Sequence, residues 1–157
     1  MNMRIDWIKS VEALRIILVF AGFYCAYSAQ TSALAIDALI LWVVLPLTGL
    51  TAMESFLFAK ESAAAKGRSH DRSYQMQSAT NHLATALTAI VVSIYSFGIS
   101  AKIAVILVAL FLFLGSGILH VFEYFFYQRP VIHLQIILVS VLLWVATLSL
   151  IWPVFPW

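Results

Sequence analysis

The stretch Ile103–Tyr127, IAVILVALFLFLGSGILHVFEYFFY, decides the fold. No side chain from Ile103 to Leu119 is charged. The hydrocarbon core of a bilayer is about 30 Å thick, and a helix needs roughly 17 to 25 residues to cross it. In lipid the backbone must satisfy its own hydrogen bonds, so such a stretch is expected to be helical. Working outward from it, four more stretches of similar character appear: Ala13–Ala29, Ala33–Phe58, Thr80–Ile99 and Val131–Trp152. The reading is an all-α, polytopic membrane bundle of five transmembrane helices. It forms a single membrane domain whose one sizeable polar loop covers residues 59–79.

Composition agrees. The chain has 157 residues, of which 63% are hydrophobic and 10% charged, against roughly 25% charged in ordinary soluble domains. The mean hydropathy is +0.98. That length holds one compact bundle. A net charge of +2 is too small to suggest nucleic acid as a partner. Cys25 is the single cysteine, so an intrachain disulfide is excluded. A packed apolar thiol is its expected state.

Charge placement predicts the orientation. Five spans put the N-terminus, the 59–79 loop and the Gln128–Pro130 turn on one side, with Arg4, Lys9, Arg15, Lys60, Lys66, Arg68, Arg72 and Arg129. The other side holds only Lys102, so eight of the nine basic residues fall together. Cytoplasmic segments carry the excess of Lys and Arg, which predicts an N-in, C-out protein. Trp7, Tyr124 and Tyr127 suit the inner interface, and Trp152 and Trp157 the outer one. Arg4 and Lys9, the apolar run and Ala26-Tyr27-Ser28 together resemble a cleaved signal, but the run exceeds a typical signal core. It is read as a retained helix, and cleavage would leave the other four spans oriented as before.

Short turns at Gln30–Ser32, Ser100–Lys102 and Gln128–Pro130 predict antiparallel neighbours, with Pro130 opening the last helix. Pro46 and Gly49 predict a kink or tilt in the second helix. Glu61–Lys66 reads as a continuation of that helix, stopped near Gly67.

The polar residues within the spans point to function. Glu54 lies a turn from the end of the second helix, and Asn81 and His82 open the third. His120, Glu123 and Tyr124 close the fourth, and His133 and Gln135 open the fifth. Intramembrane ionisable groups usually face the bundle or a wet cavity. These residues all fall on the cytoplasmic half, which predicts one inward-opening pocket. His120 and Glu123 share a helical face. Ser78, Asn81, Thr85 and Thr88 form a polar stripe, and Thr48, Thr51 and Glu54 another. Gly115-Ser116-Gly117 permits a close backbone approach. The competing reading is plain: groups near an interface reach water, and Thr and Ser often bond only their own backbone.

Two carboxylates and up to three imidazoles could converge on a metal. However, carboxylate-bridged bundles repeat Glu-x-x-His on paired helices, and His120-x-x-Glu123 is reversed and single. No metal and no cofactor are assigned. The chain has no Gly-rich phosphate loop, nucleophile elbow or HExxH, so no enzyme class is assigned either. No inverted repeat suggests a transporter.

The run Tyr74-Gln75-Met76-Gln77-Ser78-Ala79-Thr80-Asn81-His82-Leu83-Ala84-Thr85-Ala86-Leu87 resembles a family of small bacterial membrane proteins of unassigned function. More distantly, residues 51–126 resemble the MAPEG group, membrane-associated proteins of eicosanoid and glutathione metabolism. The counterparts of its motifs are Glu54, Arg68 and Arg72, Asn81, and His120 with Tyr124. The resemblance implies a trimeric bundle that binds an amphipathic ligand between helices, with glutathione as cofactor in the enzymes. The chain departs from that pattern at Thr85 or Ala84, where a carboxylate is expected, and at Gly117 or Ser116, where an arginine is. The first helix is also additional to the group's four.

The expected function is therefore the binding of a lipid-like or small amphipathic molecule at Glu54, Asn81, His82, His120, Glu123 and Tyr124. The alternative is a non-catalytic accessory subunit of a larger membrane complex. Expected partners are membrane lipids and other helices, in a homo-oligomer or a larger complex. The expected location is the bacterial inner membrane, multi-pass.

Overall fold

The computed structural model describes residues 3–65, 71–95, 97–127 and 131–154; the side chains described are those of the same residues except 3–6, 65, 132 and 133. Lys66, Arg68, Arg129, Trp157, the Gln128–Pro130 turn and the stop near Gly67 lie outside the described residues. The side chains of Arg4 and His133 do too. Every regular element described is helical: α1 (Met3–Tyr27), α2 (Ser32–Leu57), α3 (Ala59–Ala65), α4 (Arg72–Ile94), α5 (Ile99–Tyr127) and α6 (Ile132–Ile151), followed by a 3-10 turn, Trp152–Val154. Among the described residues three segments are long and apolar enough to cross a membrane: Ser32–Leu57, Ile99–Tyr127 and Leu134–Val154. α1 and α4 run 25 and 23 residues, but each begins with a polar, charged end.

Several boundaries differ from the sequence expectation. α4 starts at Arg72 rather than Thr80, because Asp71 caps it by accepting from the Tyr74 amide at 3.1 Å. An apolar run marks where lipid begins, whereas a cap marks where the helix begins. The turn expected at Ser100–Lys102 is helical instead. The Gly98 carbonyl accepts from the amides of Ala101 (3.0 Å) and Lys102 (3.4 Å), which starts α5 earlier. α2 does not continue through Glu61. It stops at Phe58, whose φ of −131° and ψ of 29° leave the helical region, and α3 begins afresh at Ala59.

The distortion expected at Pro46 is a π-helical stretch just before it, Leu39–Val44. Proline has no N–H to offer Trp42, and its ring crowds that carbonyl. A wider turn relieves both, and the Leu45 amide reaches back to Ile40. α1 packs against this stretch, and Gly22 makes the approach possible. A Cβ at Gly22 would lie 2.7 Å from Val43 Cγ2 and 2.9 Å from the Trp42 carbonyl carbon.

The main apolar core gathers Ile36, Leu39, Ile40 and Val43 of α2, Ala89 and Val92 of α4, and Ile106, Ala109 and Leu110 of α5. Around it the helices are tied by polar contacts that suit a low-dielectric surrounding. Trp144 donates to the Leu110 carbonyl at 3.0 Å, and Ser140 to the Phe113 carbonyl at 3.2 Å. The Tyr27 hydroxyl meets Ser149 at 2.7 Å. Asp37 pairs with Lys102 at 2.5 Å. All these sit toward the end of the bundle where α1 stops and α5 starts, or mid-way along it. The other end carries the buried charge.

Candidate functional site

Glu54 is the most deeply buried acid among the described side chains, with 2% of its surface exposed. A carboxylate in such a position requires partners. It has them from two other helices. Arg15 of α1 places a guanidinium nitrogen 2.5 Å from Oε2, and the Ser62 hydroxyl donates to Oε1. The break at Phe58 is what brings Ser62 round, because α3 folds back beside the end of α2. A straight continuation would carry Ser62 about 12 Å beyond Glu54 along the axis.

His82 lies on α4, which packs closely along the second half of α2. Gly49 and Ala86 set the register, with a Cβ at Gly49 falling 3.9 Å from the Ala86 methyl. From that contact, five residues forward to Glu54 and four residues back to His82 lead the same way along the bundle, because the helices are antiparallel, and the axial distances differ by less than a turn. His82 is 7% exposed. Its ring centroid is 5.3 Å from that of Phe113 on α5, and Arg15 lies within electrostatic reach of it. His82 Nδ1 and Arg15 Nε are buried without a hydrogen-bond partner among the described residues.

His120 and Glu123 form a separate set of contacts. His120 is buried, and its Nδ1 lies 3.7 Å from Glu123 Oε2. Tyr124 is half-buried, edge-on to Phe125 with centroids 5.1 Å apart. Along α5, His120 is seven residues, or about 10 Å, past the Phe113 that His82 stacks on.

Asn81 departs from the expected site. It is exposed, since one residue along a helix from His82 is about 100° round it. The face of α4 that turns inward runs through Gln75, Ser78, Ala79, His82, Thr85, Ala86 and Ala89 rather than through Asn81 and Thr88. The small alanines decide this, because they let α2 come close. The threonines bond their own helices: Thr85 to the Asn81 carbonyl at 2.9 Å, Thr88 to that of Ala84 at 2.8 Å, and Thr48 to that of Val44 at 2.7 Å. His82 itself sits about three turns into α4 rather than in its first turn.

Sequence reasoning missed Arg15 and Ser62 as partners of Glu54. Arg15 did leave a signal. It is a cation inside an apolar stretch, and a cation there needs an anion, but its position near the stretch's end gives it an equal claim as a topology marker. Ser62 left none, because the reversal at Phe58 carries no proline or glycine. Among the described residues no three His, Cys, Asp or Glu side chains gather closely enough to hold a metal ion. Chemically, the arrangement is a charge-balanced pair with a spare guanidinium donor and a spare imidazole nitrogen beside an aromatic ring. It is suited to holding one small polar group inside an apolar protein.

No family model, curated protein or solved structure matches the chain.

Proposed function

We propose that this is a five-span protein of the bacterial inner membrane, N-in and C-out, that holds the polar head of a lipid-like or small amphipathic molecule at Arg15, Glu54 and His82. One observation carries the reading: an arginine–glutamate pair buried among apolar helices, with Arg15 Nε and His82 Nδ1 still unpartnered. Charged groups in such surroundings are expensive and tend to be functional. Glu54 already balances the Arg15 charge, so the group that completes the site is a neutral acceptor, a carbonyl or hydroxyl, rather than an anion. His120, Glu123 and Tyr124 supply a second polar contact nearer the end of α5. The kinship with the MAPEG bundle enters as architecture alone, a ligand held between helices; glutathione chemistry is not proposed.

Native mass spectrometry from mild detergent tests the reading. The wild-type chain is expected to retain a lipid-like mass that His82→Phe loses. Bare chains in both samples would remove the ligand-binding reading. The orientation has its own test. An alkaline phosphatase fusion after Trp157 is expected to be active and one within residues 66–72 inactive, because the basic residues collect on that side. The reverse pattern would invert the topology.

The accessory-subunit alternative draws on Gly115, which is exposed with nothing within 4 Å of a Cβ built on it. That leaves a notch on α5 into which a foreign helix could pack. A second protein species in the same mass spectra would favour it.

A further inference from the structure

Four buried side-chain atoms lack a hydrogen-bond partner among the described residues: Arg15 Nε, Gln75 Oε1, His82 Nδ1 and Thr147 Oγ1. Thr147 is explained locally, since its hydroxyl can turn onto the carbonyl one turn earlier in α6. The other three belong to the half of the bundle where α4 begins: Gln75 and His82 on α4 itself, and Arg15 through its pair with Glu54. Gln75 and His82 stand two turns apart on the inward face of α4, with Ser78 between them at the same helical position. Arg15 comes in from α1 at the level of His82. The outer face of α4 carries Leu83, Leu87 and Ile90, all exposed.

A buried polar atom without a partner is costly. Protein interiors meet this cost with water where several such atoms line one space. Gln75 and His82 lie about 10 Å apart along α4, with Ser78 between them on the same face, and Arg15, paired with Glu54, comes in near the His82 end. Beyond His82 that face meets the Phe113 ring and then the alanines packed on α2. We propose that the inward face of α4 lines a water-accessible half-channel from its Arg72 end to the Glu54–His82 cluster, closed at Phe113. The half-channel shares its inner end with the ligand site but does not depend on the ligand. A chain that retains no amphipathic molecule can still admit water here.

Single cysteines in a Cys25→Ser background test the proposal. Cys25 is exposed on α1 rather than packed as its sequence setting suggests, which is why it is replaced first. A thiol reacts with a membrane-impermeant maleimide only where water lets it ionise. Gln75→Cys, Ser78→Cys and His82→Cys are expected to label from the Arg72 side at least about tenfold faster than Leu83→Cys, Leu87→Cys or Thr85→Cys. Ser78→Cys is nearly isosteric at a half-buried position, so the result does not hang on His82→Cys folding. Labelling that fails at Ser78→Cys overturns the half-channel. Equal labelling on both faces of α4 overturns it as well, because that face would then not be distinct. Labelling at Thr85→Cys overturns the closure at Phe113.

Discussion

Replacing Glu54 with alanine is expected to destabilise the folded chain by about 3–5 kcal/mol, the range for removing one member of a buried ion pair. Most of the loss comes from what remains. Arg15 keeps its charge, with only 16% of its side chain exposed, and loses the anion it faces. Ser62 loses its acceptor but can turn to the Phe58 carbonyl, which its own amide already meets at 2.8 Å. Glu54→Gln should cost less, since its amide oxygen can still accept from Arg15 while its NH2 donates to the Ser62 hydroxyl, although the charge is gone. The double change Arg15→Leu with Glu54→Leu should recover most of the stability, because two apolar side chains of similar volume avoid the desolvation cost altogether. Denaturation in detergent of the three variants beside the wild-type chain measures this. If the double variant is no more stable than Glu54→Ala, the residues do not act as a pair. Recovery of stability without recovery of ligand retention would separate the structural part of the pair from its functional part.

Much of the architecture was legible because lipid simplifies the code. Apolar runs give span positions, and the helix follows from hydrogen bonding alone. Thus the three strongly apolar helices, at Ala33–Phe58, Ile103–Tyr127 and Val131–Trp152, could be placed to within about a turn. The structure's account diverges where polar contacts rather than hydropathy set the outcome. Asp71 lengthens α4 by two turns, and the Phe58 break turns an expected straight extension into a helix that folds back. The site was legible as a set of residue types and much less as a set of contacts. Glu54, His82 and His120 are buried, as costly polar groups in an apolar chain should be. Which face of α4 turns inward could not be read from its hydroxyls, because Thr85 and Thr88 are equally able to satisfy themselves on their own helix. The alanines, silent in a search for chemistry, decide it. Arg15 shows the opposite failure. It carried a clear signal, but a positive residue near the end of an apolar stretch serves both as a topology marker and as the partner of a buried acid.

Changes at the glycines are expected to sort by the space each one guards, and this ordering tests the helix packing directly. Gly22→Ala should be damaging even though it adds a single methyl. The new carbon would sit 2.7 Å from Val43 Cγ2, 2.8 Å from Trp42 Cβ and 2.9 Å from the Trp42 carbonyl carbon. Two of those neighbours are held by the π-helical backbone and cannot swing aside, so a cost at or above about 1–3 kcal/mol follows. At Gly117 the nearest atom is the flexible end of Ile137, at 2.8 Å, with Ser140 Oγ at 3.1 Å and Ile137 Cα at 3.2 Å. Alanine there should be partly absorbed by a new Ile137 rotamer. Leucine cannot be, and it would also displace the Ser140 hydroxyl from the Phe113 carbonyl. Gly117→Leu should therefore lower the detergent melting temperature more than Leu112→Ala, which trims a half-buried side chain. Gly115→Ala should be neutral or mildly stabilising, since a methyl there meets nothing and alanine favours the helix over glycine by about 1 kcal/mol. Equal shifts for Gly117→Leu and Leu112→Ala would mean that α5 and α6 do not approach closely at Gly117. A loss at Gly115→Ala would instead point to a neighbour seated in the notch, which is the contact an accessory subunit requires.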